Sequence, residues 1–319
     1  MHGRVVRSTG SWYDVRTDEG GLVPCKVKGN FRLRGLRTTN PVAVGDGVTI
    51  GRPGPDGVAF ITEIDERTNY VIRRASNLSK QSHILAANVD QALLLATVAR
   101  PETTPTFIDR FLASAEAYRI PVVIVLNKED DLLTAGEREA ADRLQGLYES
   151  LDYRCLRLSA RRLGGDRPDT RARAAIKEVL QGRTTLLAGH SGVGKSTLLN
   201  ALVPGAEART AAISEAHGTG QHTTTYSALY DLPGGGALID VPGIKGFGTF
   251  DMEREELGHY FREIFRTGQE CRFSDCTHTR EPGCAVRAAL SEGRIAQSRY
   301  QSYLSMLQDK DENRYREAQ

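Results

Sequence analysis

Nowhere in this chain do apolar residues run on for the roughly 20 positions that a membrane-spanning helix needs. Its opening, MHGRVVRSTG, has no apolar core of the kind a secretory signal carries. Both absences predict a cytoplasmic protein with no membrane attachment. Cysteine is scarce, five in 319 residues. An odd count without an export signal argues against a disulfide framework. Charge of one sign is not in excess either, since 42 Lys and Arg face 40 Asp and Glu, a net +2 at pH 7. A charged partner must therefore be read from where charge gathers and not from the total. No internal repeat is present. What remains is an ordinary soluble composition, 26% charged and 39% hydrophobic. The length allows about two or three domains around at least one sizeable core.

The chain changes character twice, which predicts a multidomain fold. Residues 1–68 hold short β-type runs (GRVVRS, SWYDVRT, GLVPCKVKG, PVAVGDGVTIG, VAFITEIDER) punctuated by Gly, Pro, Asn and Asp. That pattern suggests a small all-β barrel or sandwich. Across residues 69–249, continuous apolar runs such as VDQALLLATVA and PVVIVLN alternate with segments of helical spacing. This predicts an α/β domain with a mostly parallel sheet. Residues 250–319 read as helical. DMEREELGHYFREIF turns Met252, Leu257, Tyr260, Phe261, Ile264 and Phe265 to one face, with Asp251 as N-cap, and a further amphipathic helix spans Ile295 to Leu307 ahead of a polar terminus.

Gly189-His190-Ser191-Gly192-Val193-Gly194-Lys195-Ser196, followed by Thr197, matches the phosphate-loop pattern between the strand TTLLAG and the helix STLLNALV. Glycines there let backbone N–H groups cradle phosphate oxygens, and the helix N-terminus adds partial positive charge. Lys195 can reach the β- and γ-phosphates and Ser196 can coordinate Mg²⁺. In Asp240-Val241-Pro242-Gly243, Asp240 suits a carboxylate near Mg²⁺ and Gly243 can offer its N–H to the γ-phosphate.

Asn127-Lys128-Glu129-Asp130 ends a buried strand. Alone it would pass for a polar turn, but it has the form of a guanine-reading motif. Asp130 can accept from guanine N1–H and the 2-amino group, a donor pair adenine lacks. Asn127 can tie this loop to the phosphate loop, and the Lys128 stem can cover the base. Ser159-Ala160, at the end of the next strand, suits a loop whose N–H meets the guanine oxygen. In ordinary GTPases the base-reading motif comes after the phosphate loop; here it comes first. The elements keep their cyclic order, which is a circular permutation, with the old ends joined through DTRARAAIKEVLQG. The segment after Asp240 then runs straight into the C-terminal part, so hydrolysis is expected to reorient that part. Ile244 stands where a water-orienting glutamine is usual. His222 in GTGQHTTTY is the candidate for that role, and one of Thr223 to Thr225, with Thr224 preferred, for reaching Mg²⁺.

Cys271, Cys276, His278 and Cys284 have the spacing C-x₄-C-x-H-x₅-C. Three thiolates and an imidazole make a complete tetrahedral set for one structural Zn²⁺. Free thiols or a redox pair are the plainer alternative. Lys26, Lys28, Arg32, Arg34 and Arg37, interleaved with Val27, Phe31 and Leu33, make a basic edge on the β-rich part, and Arg73, Arg74 and Lys80 add to it at the domain junction. It suits nucleic acid or is simply a solvated, aggregation-resistant strand edge.

NLSKQS ahead of ILAANVDQALLL, NKED, HSGVGKSTLLNAL, HTTT, DVPGIKGF and the Cys-Cys-His-Cys cluster together resemble the ribosome small-subunit-dependent GTPase A (RsgA) family. The resemblance implies an N-terminal OB-fold, a permuted GTPase domain and a C-terminal zinc domain. It implies GTP/GDP as ligand, a late role in maturing the small ribosomal subunit, and GTPase activity stimulated by that subunit. The main expectation is an assembly factor that docks on ribosomal RNA through both outer domains, and with no sign of oligomerisation in the sequence a monomer is assumed. In such proteins the histidine matching His222 is the proposed water-positioning residue. Gln221 departs from the Arg or Lys often found beside it. The rival reading is a GTP-gated RNA-binding module with incidental hydrolysis.

Overall fold

The computed structural model describes residues 1–27, 38–74, 82–164, 167–206, 227–241 and 252–317. The punctuated N-terminal runs form β1 (His2–Ser8), β2 (Tyr13–Thr17), β3 (Leu22–Val27), β4 (Thr38–Asn40), β5 (Gly47–Ile50) and β6 (Ala59–Ile64). β1, β2 and β3 are an antiparallel meander, β3 pairs with β6 in parallel, and β6 pairs with β5, which returns to β1. That closure makes a small OB-fold barrel. Alternate residues point inward, so Val5, Tyr13, Val15, Cys25, Val48, Ile50 and Ile61 form its core. Arg67 grips the buried Asp46 carboxylate with two bonds of 2.6 Å and the Pro41 carbonyl at 2.7 Å, fastening the end of the barrel segment.

Next come β7 (Tyr70–Arg74), β8 (Ser82–Ala87), β9 (Gln91–Ala96), α1 (Pro105–Ala117), β10 (Val122–Leu126), α2 (Ala135–Ser150), β11 (Arg154–Arg157), α3 (Thr170–Leu180), β12 (Thr184–Ala188), α4 (Lys195–Leu202), β13 (Ser227–Asp231) and β14 (Ala237–Asp240). The sheet order β11-β10-β9-β12-β14 is parallel throughout, with β13 antiparallel at its end. β9, β10 and β12 are buried at every position because helices cover both faces. Leu94, Ile124 and Leu186 face Ile108, Phe111 and Leu112 of α1, while Leu93, Leu95, Val125 and Leu187 face Ile176 of α3 and Leu198 of α4.

Two strand features go beyond the pattern read from the sequence. β7 and β8 form a three-stranded sheet with β4, beside the barrel. β13 pairs with β14 through the turn at LPGG, and on its other side with β1 (Arg7↔Ala228, Ser8↔Ser227), so barrel and α/β sheet are one 11-stranded surface. Arg4 donates to Thr184 Oγ1 at 2.9 Å and Arg16 pairs with Asp231 across this seam.

The C-terminal helix read over DMEREELGHYFREIF is broken. A 3₁₀ turn at Leu257–Tyr260 precedes an extended, fully buried Phe261, and α5 starts only at Arg262 (Arg262–Gly268). Packing overrides helical propensity here, since Phe261 meets Tyr303 edge-on at 5.6 Å and lies under the Arg299 guanidinium at 4.6 Å. Phe265 consequently turns outward, 43% exposed, and Asp251 lies outside the described residues. α6 (Ala285–Ser291) and α7 (Gln297–Glu317) follow, α7 continuing through the polar tail. Their core includes Ala113 of α1. Arg299 holds Glu263 at 2.6 and 3.1 Å and Asp109 of α1 at 2.7 Å, all three buried, and Tyr148 of α2 donates to Asp109 at 2.7 Å. No helix among the described residues is long and apolar enough to cross a membrane.

Candidate nucleotide cleft and metal cluster

The C-terminal ends of β10, β11, β12 and β14 line up along one edge of the sheet, where ligands of open α/β folds bind. Asn127, directly after β10, is buried and commits its amide to two other loops. Its Nδ2 donates to the Val193 carbonyl at 2.7 Å, and its Oδ1 accepts from Ala160 N–H at 2.8 Å. The phosphate loop, the NKED loop and the Ser159-Ala160 loop thus meet at one side chain: the tie to the phosphate loop is the one read for Asn127, and the bond from Ala160 adds to it. Gly194 explains why this is possible: a Cβ there would sit 2.4 Å from Asn127 Nδ2, and its φ of +100° suits glycine.

Lys128 is left-handed (φ 63°), and Glu129–Asp131 is a 3₁₀ turn whose Glu129 N–H donates to the Leu158 carbonyl at 3.2 Å. Asp130 is partly exposed, and no hydrogen bond or ion pair engages its carboxylate among the described residues. Both of its oxygens are available as acceptors. Ser159 is buried, and its hydroxyl has no partner among the described residues. On the phosphate side, Lys195 Nζ donates to the Gly189 and His190 carbonyls at 2.6 and 2.9 Å. Ser191, Gly192, Ser196 and Thr197 are exposed around the N-terminus of α4. Asp240, at the end of β14, is held above the usual carboxylate range by burial, against the opposing pull of Lys195. His222, Thr223 to Thr225, Gly243 and Ile244 lie outside the described residues. So do Lys28, Phe31, Arg32, Leu33, Arg34, Arg37 and Lys80 of the basic edge. Lys26 is described, with Nζ 4.1 Å over the Trp12 ring, and Arg73 and Arg74 fall on β7.

Cys271, Cys276, His278 and Cys284 bring their ligand atoms within 4.8 Å of one another. A tetrahedral zinc with about 2.3 Å to sulfur and about 2.0 Å to nitrogen has edges of about 3.8 Å (S–S) and about 3.5 Å (S–N). The structure has Cys271 Sγ 3.5 Å and Cys284 Sγ 3.6 Å from His278 Nδ1, and 4.0 Å between the two sulfurs, so the donor set fits the ion. Burial pushes the Cys276 thiol up to about 12 and the His278 imidazole down. A zinc held by these four residues would favour the thiolate form and so oppose the effect of burial on Cys276. The cluster's backbone is fixed from outside: Tyr300 donates to the His278 carbonyl at 2.7 Å and Tyr303 to the Thr277 carbonyl at 2.8 Å. Gly268 leaves room for the imidazole, since a Cβ there would lie 3.2 Å from His278 Cε1.

The RsgA GTPase family model matches residues 64–250 and the RsgA N-terminal domain model matches residues 2–54. This chain belongs to the RsgA family of GTPases. It is 60% identical over 318 residues, 100% of both chains, to the small ribosomal subunit biogenesis GTPase RsgA of Bacteroides fragilis. The RsgA of Porphyromonas gingivalis is 55% identical over 320 residues, covering 99% of each. Among solved structures, YjeQ from Thermotoga maritima superposes with a TM-score of 0.74 at 34% identity, covering 97% of this chain and 98% of that one. YloQ, described as a circularly permuted GTPase, gives 0.71 at 27% identity, covering 98% and 95%. The strand order agrees with permutation: the phosphate-loop strand β12 lies inside the sheet between β9 and β14 although β9 to β11 precede it in the chain.

In this RsgA-family GTPase one segment of the cleft escaped the motif reading. Residues 97–103 fold back on themselves, with Thr97 N–H donating to Thr103 Oγ1 at 2.9 Å and Thr103 N–H to the Thr97 carbonyl at 2.8 Å. Thr103 Oγ1 also lies 2.7 Å from His190 Nε2. The stretch TVARPETT matches no motif. The proline and three threonines ahead of α1 were its only signal, and they announce a helix start as readily as a site.

Proposed function

We propose that this GTPase acts in late maturation of the small ribosomal subunit, docking on ribosomal RNA and hydrolysing GTP faster when docked. One observation carries the reading: end-to-end identity of 60% to a protein named for small ribosomal subunit biogenesis. In this reading residues 1–68 are an RNA-binding OB-fold domain, residues 69–249 the permuted GTPase domain, and residues 250–319 a zinc-binding helical domain. Asp130 reads guanine N1–H and the 2-amino group, with Lys128, Glu129, Ser159 and Ala160 around the base. Gly189 to Thr197 cradle the phosphates, Lys195 neutralises their charge, and Gly243 donates its N–H to the γ-phosphate. Ser196 and Thr224 hold Mg²⁺ with Asp240 behind them; the ion supplies charge neutralisation. His222 orients the attacking water, a task Ile244 cannot perform. Cys271, Cys276, His278 and Cys284 hold one structural Zn²⁺. The protein works as a cytoplasmic monomer, its outer domains meeting RNA.

Hydrolysis measured with and without purified small subunits tests the proposal. Turnover should rise steeply on adding subunits, since a catalytic group supplied in trans is worth about 10³ to 10⁵ in rate. Equal turnover would leave the rival, an RNA-binding module whose hydrolysis is incidental.

A further inference from the structure

Asn127 is fixed by two buried hydrogen bonds, but the residue that reads the base is Asp130, past a left-handed Lys128. Nothing in the contacts of Asn127 fixes where that carboxylate points. The turn is gripped instead from its outer side. Arg100 donates through Nε to Asp131 Oδ2 at 3.2 Å and through Nη2 to the Asp131 carbonyl. The same guanidinium meets Glu137 Oε1 at 2.7 Å and Oε2 at 3.2 Å. Glu137 Oε2 in turn accepts from Leu133 N–H at 2.7 Å and Thr134 N–H at 3.1 Å, closing a ring around the turn from 128 to 134. Lys128 Nζ completes it by donating to the Arg100 carbonyl at 2.5 Å.

Arg100 belongs to the loop of residues 97–103, which is seated on the phosphate loop. Thr103 meets His190, and a Cβ on Gly192 would lie 3.2 Å from Pro101 Cδ. Arg100 itself is left-handed (φ 50°), a geometry non-glycine residues rarely adopt and one the surrounding loop must hold. An exposed ion pair alone contributes little. A planar fork engaging a carbonyl and two carboxylates at once is a different device, with a geometry lysine cannot copy. We propose that Arg100 is a positioning residue for guanine recognition, bracing the turn that carries Asp130 against the loop that supports the phosphate loop. This rests on reading Asn127 to Asp130 as the base-reading loop.

The test is the ratio of GDP to IDP affinity, measured by titration calorimetry on the full-length protein. IDP lacks the 2-amino group, so the ratio reports the second hydrogen bond of Asp130. Arg100→Ala should contract that ratio, to about a tenth if the bond is worth a typical value. Glu137→Gln keeps an acceptor for capping α2 but loses the charge, and should contract the ratio by less; it gives the same readout should Arg100→Ala prove unstable. An unchanged ratio, whether or not both affinities fall together, overturns the proposal and makes Arg100 a structural brace only. Asp130→Asn separates the two levels. Retained guanine preference in that variant overturns the base-reading assignment and this proposal with it, whereas lost preference beside an unchanged ratio in Arg100→Ala overturns this proposal alone.

Discussion

Asn127 joins its loop to a carbonyl and an N–H that both lie in the interior, on Val193 and Ala160. Truncation to alanine removes the two partners at once and leaves both backbone groups dry and unpaired. Asn127→Ala should therefore lose about 3 kcal/mol of stability and also weaken GDP binding, read from urea unfolding midpoints and from calorimetry. Each half of this contact was legible in the sequence, because NKED and GHSGVGKST match motifs whose form is set by the chemistry of base and phosphate. Their meeting was legible only as an inference from cyclic order. The roles of Arg100 and Thr103 were not, since a loop closed by threonine hydroxyls has neither period nor motif.

The elements divide in the same way. Continuous apolar runs announced β9, β10 and β12, which helices cover on both faces, and the glycine-punctuated runs announced the barrel. β13 was missed although SALYDLPGGGALID has the look of a hairpin; its buried run is only Ala228, Leu229 and Tyr230 between Ser227 and Asp231, too short to stand out beside the unbroken apolar runs of the central strands. The break at Phe261 was missed because helical spacing says nothing of a ring wanted by Tyr303 and Arg299. The cysteine cluster, by contrast, was complete in the sequence, since ligand type and spacing alone define it. α5 and α6 have seven residues each, too few to persist without tertiary support. Metal analysis should find one zinc per chain. Removing it with a strong chelator should raise amide exchange across α5 and α6 while β9, β10 and β12 stay protected, because structural zinc sites contribute about 10–16 kcal/mol to the folds around them.

For the whole molecule, the fastening of α5 and α7 onto α1 and α2 changes what hydrolysis can move. Arg299, Asp109 and Glu263 are 1%, 0% and 8% exposed, and swinging the C-terminal part away would break the Arg299–Asp109 pair and uncover the apolar contact around Ala113. Arg262 adds bonds to Glu116 at 2.7 Å and to the Asp152 carbonyl at 2.9 Å. The reorientation expected from chain order therefore has a barrier that order alone could not reveal. Small-angle scattering profiles with GDP and with a non-hydrolysable GTP analogue should coincide. Arg299→Met should destabilise the protein by about 3–5 kcal/mol, measured by denaturant unfolding, because both carboxylates lose their partner.

The seam between β1 and β13 bears on any attempt to divide the protein. An unmatched outer strand offers its amides and carbonyls to whatever passes, and neighbouring copies are the nearest takers. In this chain β1 covers the outer side of β13, so the barrel closes what would otherwise be the open border of the α/β sheet. A fragment begun after the barrel would keep the phosphate loop and the Asn127 junction but have a raw border at β13, and would be prone to stick to itself for reasons unrelated to GTP.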